Sequence, residues 1–156
     1  MEFSGSHILS IDQFSRSDVE KLFNIADSLE PYSSKNKVTR VLEGAILGNM
    51  FFEPSTRTRI SFGASFNLLG GNVREITEVS SSSLAKGESL VDTAKVLSGY
   101  SDIIVMRHPE EGSVQKFDEA SRVPVINGGD GANEHPSQAL LDLYTIGKEL
   151  SQNNKS

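Results

Sequence analysis

The chain contains no cysteine, which excludes disulfides and thiolate-held metals. Its three histidines, His7, His108 and His135, are scattered, and no His-x-x-x-His spacing sets two metal ligands on one helix face. No apolar run approaches the length of a membrane span, and the first residues lack the apolar stretch of a signal peptide. Positive charge is scarce as well: 15 Lys and Arg stand against 21 Asp and Glu, a formal net charge of −6. That balance argues against a generic nucleic-acid binder and makes the basic residues local tools. There is no internal repeat. What remains is a soluble, cytoplasmic protein whose 156 residues suit one domain with a sizeable core.

The most informative run is Phe51-Phe52-Glu53-Pro54-Ser55-Thr56-Arg57-Thr58-Arg59. A buried-looking strand ends there in hydroxyls and guanidinium groups, and a helical stretch from Ile60 to Leu69 follows at once. The N-terminus of a helix has unpaired N–H groups and a partial positive charge, so it suits an anion. Ser55, Thr56 and Thr58 add neutral donors, and Arg57 brings a planar fork matched to phosphate. The run has no glycine, so it is neither a Walker loop nor a dinucleotide fingerprint. It reads as a phosphate cradle of another kind; the bland alternative is an N-capped helix with two exposed arginines.

Around this run, helices and strands alternate. Ser15 or Ser17 caps a first helix that Pro31 closes, with Val19, Leu22, Phe23, Ala26 and Leu29 on one face. Strands are predicted at Ala45–Phe52, Asn72–Ile76, Asp102–Met106 and Val123–Asn127. Helices are predicted at about Thr56–Leu69, Glu88–Tyr100, Glu111–Ala120 and Pro136–Leu150. The fold class is therefore α/β, a parallel four-stranded sheet flanked by helices on both faces. Residues 1–150 form the domain and Ser151–Ser156 a polar tail. In such a sheet, ligands gather beyond the carboxyl ends of the strands, and every polar motif of this chain falls at one of those ends.

Three further blocks accompany the cradle: Ser81-Ser82-Ser83-Leu84-Ala85-Lys86-Gly87-Glu88-Ser89, Met106-Arg107-His108-Pro109-Glu110-Glu111-Gly112, and Gly128-Gly129-Asp130-Gly131-Ala132-Asn133-Glu134-His135-Pro136-Ser137-Gln138. The four, in this order, resemble the carbamoyl-phosphate half of the aspartate carbamoyltransferase (aspartate transcarbamoylase) family. The resemblance extends from His7 to about Ile146. It implies a transferase of pyrimidine biosynthesis that joins carbamoyl phosphate to L-aspartate without metal or organic cofactor. It implies that Ser55, Thr56, Arg57 and Thr58 hold the phosphate, and that Thr58, Arg107 and His135 meet the carbamoyl carbonyl oxygen. Donors pre-aimed at an oxygen that gains charge act as an oxyanion hole, worth about 3–4 kcal/mol each. The resemblance implies, too, that Gln138 can turn its amide carbonyl toward the carbamoyl NH2.

The resemblance also implies a homotrimer in which Lys86, with either Ser82 or Ser83, enters the neighbouring subunit's site; the serine run leaves the register open. It makes Glu53 an interdomain residue that pairs with arginines of a second domain, and it allows a regulatory chain. Arg59 reads equally well as a structural ion pair or a ligand contact, and His108 reads as a brace for Pro109. The chain stops where the family's aspartate-binding domain begins, so L-aspartate is a partner only with that domain, and the chain alone is expected to be nearly inactive. Two alternatives stand beside this reading: the N-terminal domain of ornithine carbamoyltransferase, and a non-catalytic module for carbamoyl-phosphate binding or assembly. The Ser81–Ser89 block, Met106–Pro109 and Gly129-Asp130-Gly131 are closer to the aspartate enzyme.

Overall fold

Strand β1, Ile46–Phe51, is apolar apart from Asn49, and all but its first residue are buried. A strand in that environment must be covered twice, and the computed structural model, which describes residues 2–77 and 87–153, shows both covers. β1 pairs in parallel with β2, Asn72–Ile76, and with β3, Ile103–His108; β3 pairs in parallel with β4, Val125–Asp130. The order is β2-β1-β3-β4. Strand order reverses between β1 and β3, and a crevice forms there beyond the strand ends.

Alternation along the strands sorts the core into two layers. Met50, Phe52, Ile104, Met106 and Val125 pack with Ala94, Val114 and Phe117, from α3 (Leu90–Leu97) and α4 (Ser113–Asp118). On the other face Leu47, Phe51 and Val105 pack with Phe62 and Phe66 from α2, Thr56–Leu68. The last helix, α5 (Pro136–Asn153), leans on β4, while α1 (Arg16–Ser33) meets α5 through the edge-to-face pair Phe23–Tyr144 and the Lys148–Asp27 ion pair. Ile8 bridges Ile126, so the N-terminal segment runs along β4.

Several element ends differ from the sequence expectation, each for a local reason. Pro31 does not close α1; it lies inside the last turn, and Ser34 N–H still donates to Glu30 across it. So near the helix end, proline removes only its own hydrogen bond. Ser15, not Ser17, is the cap, in a reciprocal box with Asp18. Helix α3 begins only after Ser89, whose side chain accepts from Asp92 N–H. Helix α4 is shorter than Glu111–Ala120; its cap is Gly112, in the left-handed region, and the Asp130 carboxylate accepts the Gly112 and Val114 N–H groups there. Ser151–Asn153 continue α5 rather than beginning a tail.

Strands β3 and β4 run further toward the crevice than expected. β3 reaches His108 and β4 reaches Asp130, with Met106 opposite Asn127 and His108 opposite Asp130. Arg107 alone therefore faces the pair Gly128-Gly129, a bulge of one extra residue on β4. Gly-Gly reads as a turn in sequence, and only the pairing with β3 turns it into strand.

Candidate active site

Helix α2 brings the cradle to the crevice. Its cap residue Ser55 is extended (φ −155°, ψ 90°) and makes no side-chain capping bond, so the hydroxyl is not spent on the helix. No acidic residue sits in the first turn, and the N–H groups of Thr56, Arg57 and Thr58 precede the first intrahelical bond. Ser55, Thr56, Arg57 and Thr58 all line one open cleft of about 1020 Å³. Arg57 has no ion-pair partner among the described residues.

Arg59 points elsewhere. Its guanidinium donates to Glu75 Oε2 at 2.8 Å, and Asn49, fully buried in β1, donates to the Arg59 carbonyl and to Glu75 Oε1, both at 3.1 Å. The structural alternative therefore holds: Arg59, Glu75 and Asn49 fasten the first turn of α2 to β1 and β2. Neither Asn49 nor Glu75 carries a sequence signal for this, because a polar residue inside an apolar strand gains its meaning only from what packs over it.

The opposite wall comes from β3 and α5. Arg107 is four-fifths buried; it donates from Nη2 to Glu53 at 3.1 Å and from Nη1 to the Gly128 carbonyl at 3.2 Å. Its Nε is buried with no hydrogen bond among the described residues. Gly129 makes this seat, since a Cβ there would lie 2.6 Å from Arg107 Nη1. Glu53 thus has a reason for its charge, as the counterion of Arg107. The positive charge that remains for a ligand belongs to Arg57 and the helix N-terminus.

His135 immediately precedes α5, whose first residue is Pro136, and Gln138 and Ala139 donate their N–H groups to the His135 carbonyl. Burial first, and the Arg107 charge second, hold the His135 imidazole below its usual pKa, so it is neutral at pH 7. Its Nδ1 lies 3.2 Å from Ser137 Oγ. If that hydroxyl donates, the ring proton sits on Nε2. Gln138 completes the wall, its Nε2 donating to Asp142 at 2.8 Å.

The cleft therefore unites Ser55, Thr56, Arg57, Thr58, Arg107, His135 and Gln138. His108 is not among its lining residues; it accepts the Glu110 N–H and stacks edge-on against Phe52, as the bracing role requires. Ser82, Ser83 and Lys86 lie outside the described residues. Sequence reasoning missed Ser61, Phe62, Ser65, Ser137 and Leu141, which also line the cleft. Ser61 and Ser65 follow Thr58 at helical spacing, so the signal was present. No group of three or more His, Cys, Asp or Glu able to hold a metal occurs among the described residues, and no helix there is long and apolar enough to cross a membrane.

Residues 6–148 match the family described as aspartate/ornithine carbamoyltransferase, carbamoyl-P binding domain. The chain belongs to this family. It is 74% identical, over all 156 residues, to the aspartate carbamoyltransferase catalytic subunit of Saccharophagus degradans, of which it covers 46%. It also resembles a crystal structure of aspartate transcarbamoylase from Trypanosoma cruzi in complex with carbamoyl phosphate and aspartate. That match has a TM-score of 0.88 and 42% identity, over 94% of this chain and 48% of the other. The catalytic subunit of the Methanocaldococcus jannaschii enzyme is similar at a TM-score of 0.87 and 47% identity, with the same coverage. The carbamoyltransferase domain thus spans about half the length of the curated relatives it matches.

Proposed function

We propose that this chain is the electrophile-binding half of an aspartate carbamoyltransferase. In the full reaction the aspartate amine attacks the carbonyl carbon of carbamoyl phosphate. The C=O electrons move onto oxygen, the carbonyl re-forms as the C–O bond to phosphate breaks, and the amine gives up a proton. The products are N-carbamoyl-L-aspartate and phosphate. Thr58, Arg107 and His135 stabilise the transient oxyanion, with His135 acting as a neutral donor. Ser55, Thr56, Arg57 and the N–H groups of α2 hold the leaving phosphate. Gln138 accepts from the carbamoyl NH2.

The observation that carries this reading is the meeting of Arg57, which has no ion-pair partner among the described residues, and the α2 N-terminus with Arg107, His135 and Gln138 across one cleft. The choice of aspartate over ornithine is supported by the name of the 74%-identical relative. The same reading makes the protein a cytoplasmic enzyme of pyrimidine synthesis. It works as a homotrimer in which Lys86 and Ser82 or Ser83 serve the neighbouring subunit, Glu53 meets the aspartate-binding half on closure, and a regulatory chain can attach.

Calorimetry tests the core of it. Carbamoyl phosphate, and phosphate more weakly, should bind and raise the melting temperature, since ligand at 100 times its Kd adds about 2.7 kcal/mol. Arg57→Ala should remove most of that gain, because a charge-assisted hydrogen bond contributes about 1.5–3 kcal/mol. A folded protein that shows neither heat nor a melting shift at millimolar ligand refutes the proposal.

A further inference from the structure

Gln138 is asymmetric where it meets the cleft. Its side-chain amide has one donor end and one acceptor end, and rotation by half a turn exchanges them at almost no steric cost. One contact breaks the tie: Asp142, one helical turn on, receives the Gln138 Nε2 at 2.8 Å. An ionised carboxylate only accepts, so the nitrogen must face Asp142, and Oε1 is left as the free end of a cleft-lining side chain. Among the described residues nothing donates to that oxygen. Asp142 also lies close enough to act on the His135 ring, which places its charge beside the same wall.

We infer that Asp142 is a specificity-determining positioning residue: by fixing the Gln138 amide with its oxygen toward the cleft, it makes the site prefer an acyl group bearing NH2 over the same group bearing CH3. This deepens the carbamoyl-phosphate reading and rests on it. The phosphate and carbonyl are common to a carbamoyl and an acetyl ligand, so Ser55, Arg57 and Arg107 cannot tell the two apart. Only a group aimed at the third substituent of the carbonyl carbon discriminates. An acceptor rewards N–H and gains nothing from a methyl, whereas a freely turning amide offers its own NH2 half of the time. Asp142 meanwhile sets a negative charge near an anion site, which weakens all anions alike. Its effect on selectivity is therefore separable from its effect on affinity.

The test uses the 156-residue chain and a hydrolysis-stable pair, phosphonoacetamide and acetonylphosphonate, with inorganic phosphate as a third ligand, all titrated by calorimetry. The unsubstituted chain should favour the amide by about two- to tenfold, the range of one neutral hydrogen bond. In Asp142→Asn that ratio should fall toward one, while phosphate binds as well as before or better. Asp142→Glu, which keeps an acceptor-only group, should retain the preference. Both positions are exposed on the surface of α5, so folding is not at risk. An unchanged ratio in Asp142→Asn overturns the inference, and so does a chain that binds phosphate yet shows no preference. If none of the three ligands binds, the proposed function itself has failed.

Discussion

Gly129 carries a φ of +126° and leaves no space for a side chain, because a Cβ there would lie only 2.6 Å from Arg107 Nη1. Gly129→Ala combines backbone strain with a clash. It is expected to cost about 1–3 kcal/mol in a denaturant melt and to move Arg107, so ligand affinity should fall with stability. A variant of full stability and affinity would show that the bulge does not seat Arg107. The histidines give a second expectation at this scale. Burial holds both His108 and His135 below the usual value of 6.5. As pH falls through about 6.5 the unfolded chain takes up those protons first, so stability declines, and the decline ends once the lower folded values are passed. His108→Gln should flatten the melting temperature between pH 7.5 and 5.5. An unaltered slope would mean that His108 contributes nothing to it.

Helix α2 has no strong apolar stripe, yet its first turn must be held still for the cradle to be preorganised. Phe62 and Phe66 seat the body of the helix on Leu47, Phe51 and Val105. The N-terminal turn relies on the Asn49 amide and the Arg59–Glu75 pair. The pair is partly exposed, at 30% and 38%, so Glu75→Gln should cost no more than about 1 kcal/mol. Asn49→Ala removes a buried donor from two acceptors and should cost about 1–3 kcal/mol while weakening phosphate binding. Thermal melts and phosphate titrations of the two variants distinguish a helix held mainly by its apolar seat from one held also at its tip. Equal, negligible effects would favour the apolar seat alone.

For the molecule as a whole, catalysis requires a nucleophile as well as an electrophile. Alone, the chain should form little N-carbamoyl-aspartate, because orientation of the reacting groups accounts for about 7–11 kcal/mol of an enzymic barrier. Turnover like that of a complete enzyme would overturn this. The trimer is a separate expectation. Closed threefold symmetry repeats one heterologous contact and completes three shared sites, against the repulsion of a net charge of −6 per chain. Light scattering at tens of micromolar should report three times the chain mass; a strict monomer would remove the proposed role of Lys86.

Local chemistry determined a great deal by itself. The β1 run had to be a doubly covered strand, because six consecutive residues from Ile46 to Phe51 show no polar face apart from Asn49. The hydroxyls and arginine at the start of α2 read as suited to an anion, because a helix N-terminus supplies the remaining donors. Those arguments need only neighbours in sequence. Long-range pairing decided the rest. Which of the two arginines flanking Thr58 lines the cleft depended on Glu75, 16 residues after Arg59, and the counterion of Glu53 is Arg107, 54 residues on. Gly128-Gly129 became strand rather than turn because β3 lay beside it. An isolated segment holds no information about the partner that will satisfy its charges and backbone groups. Only the closed sheet brings those partners within hydrogen-bond reach.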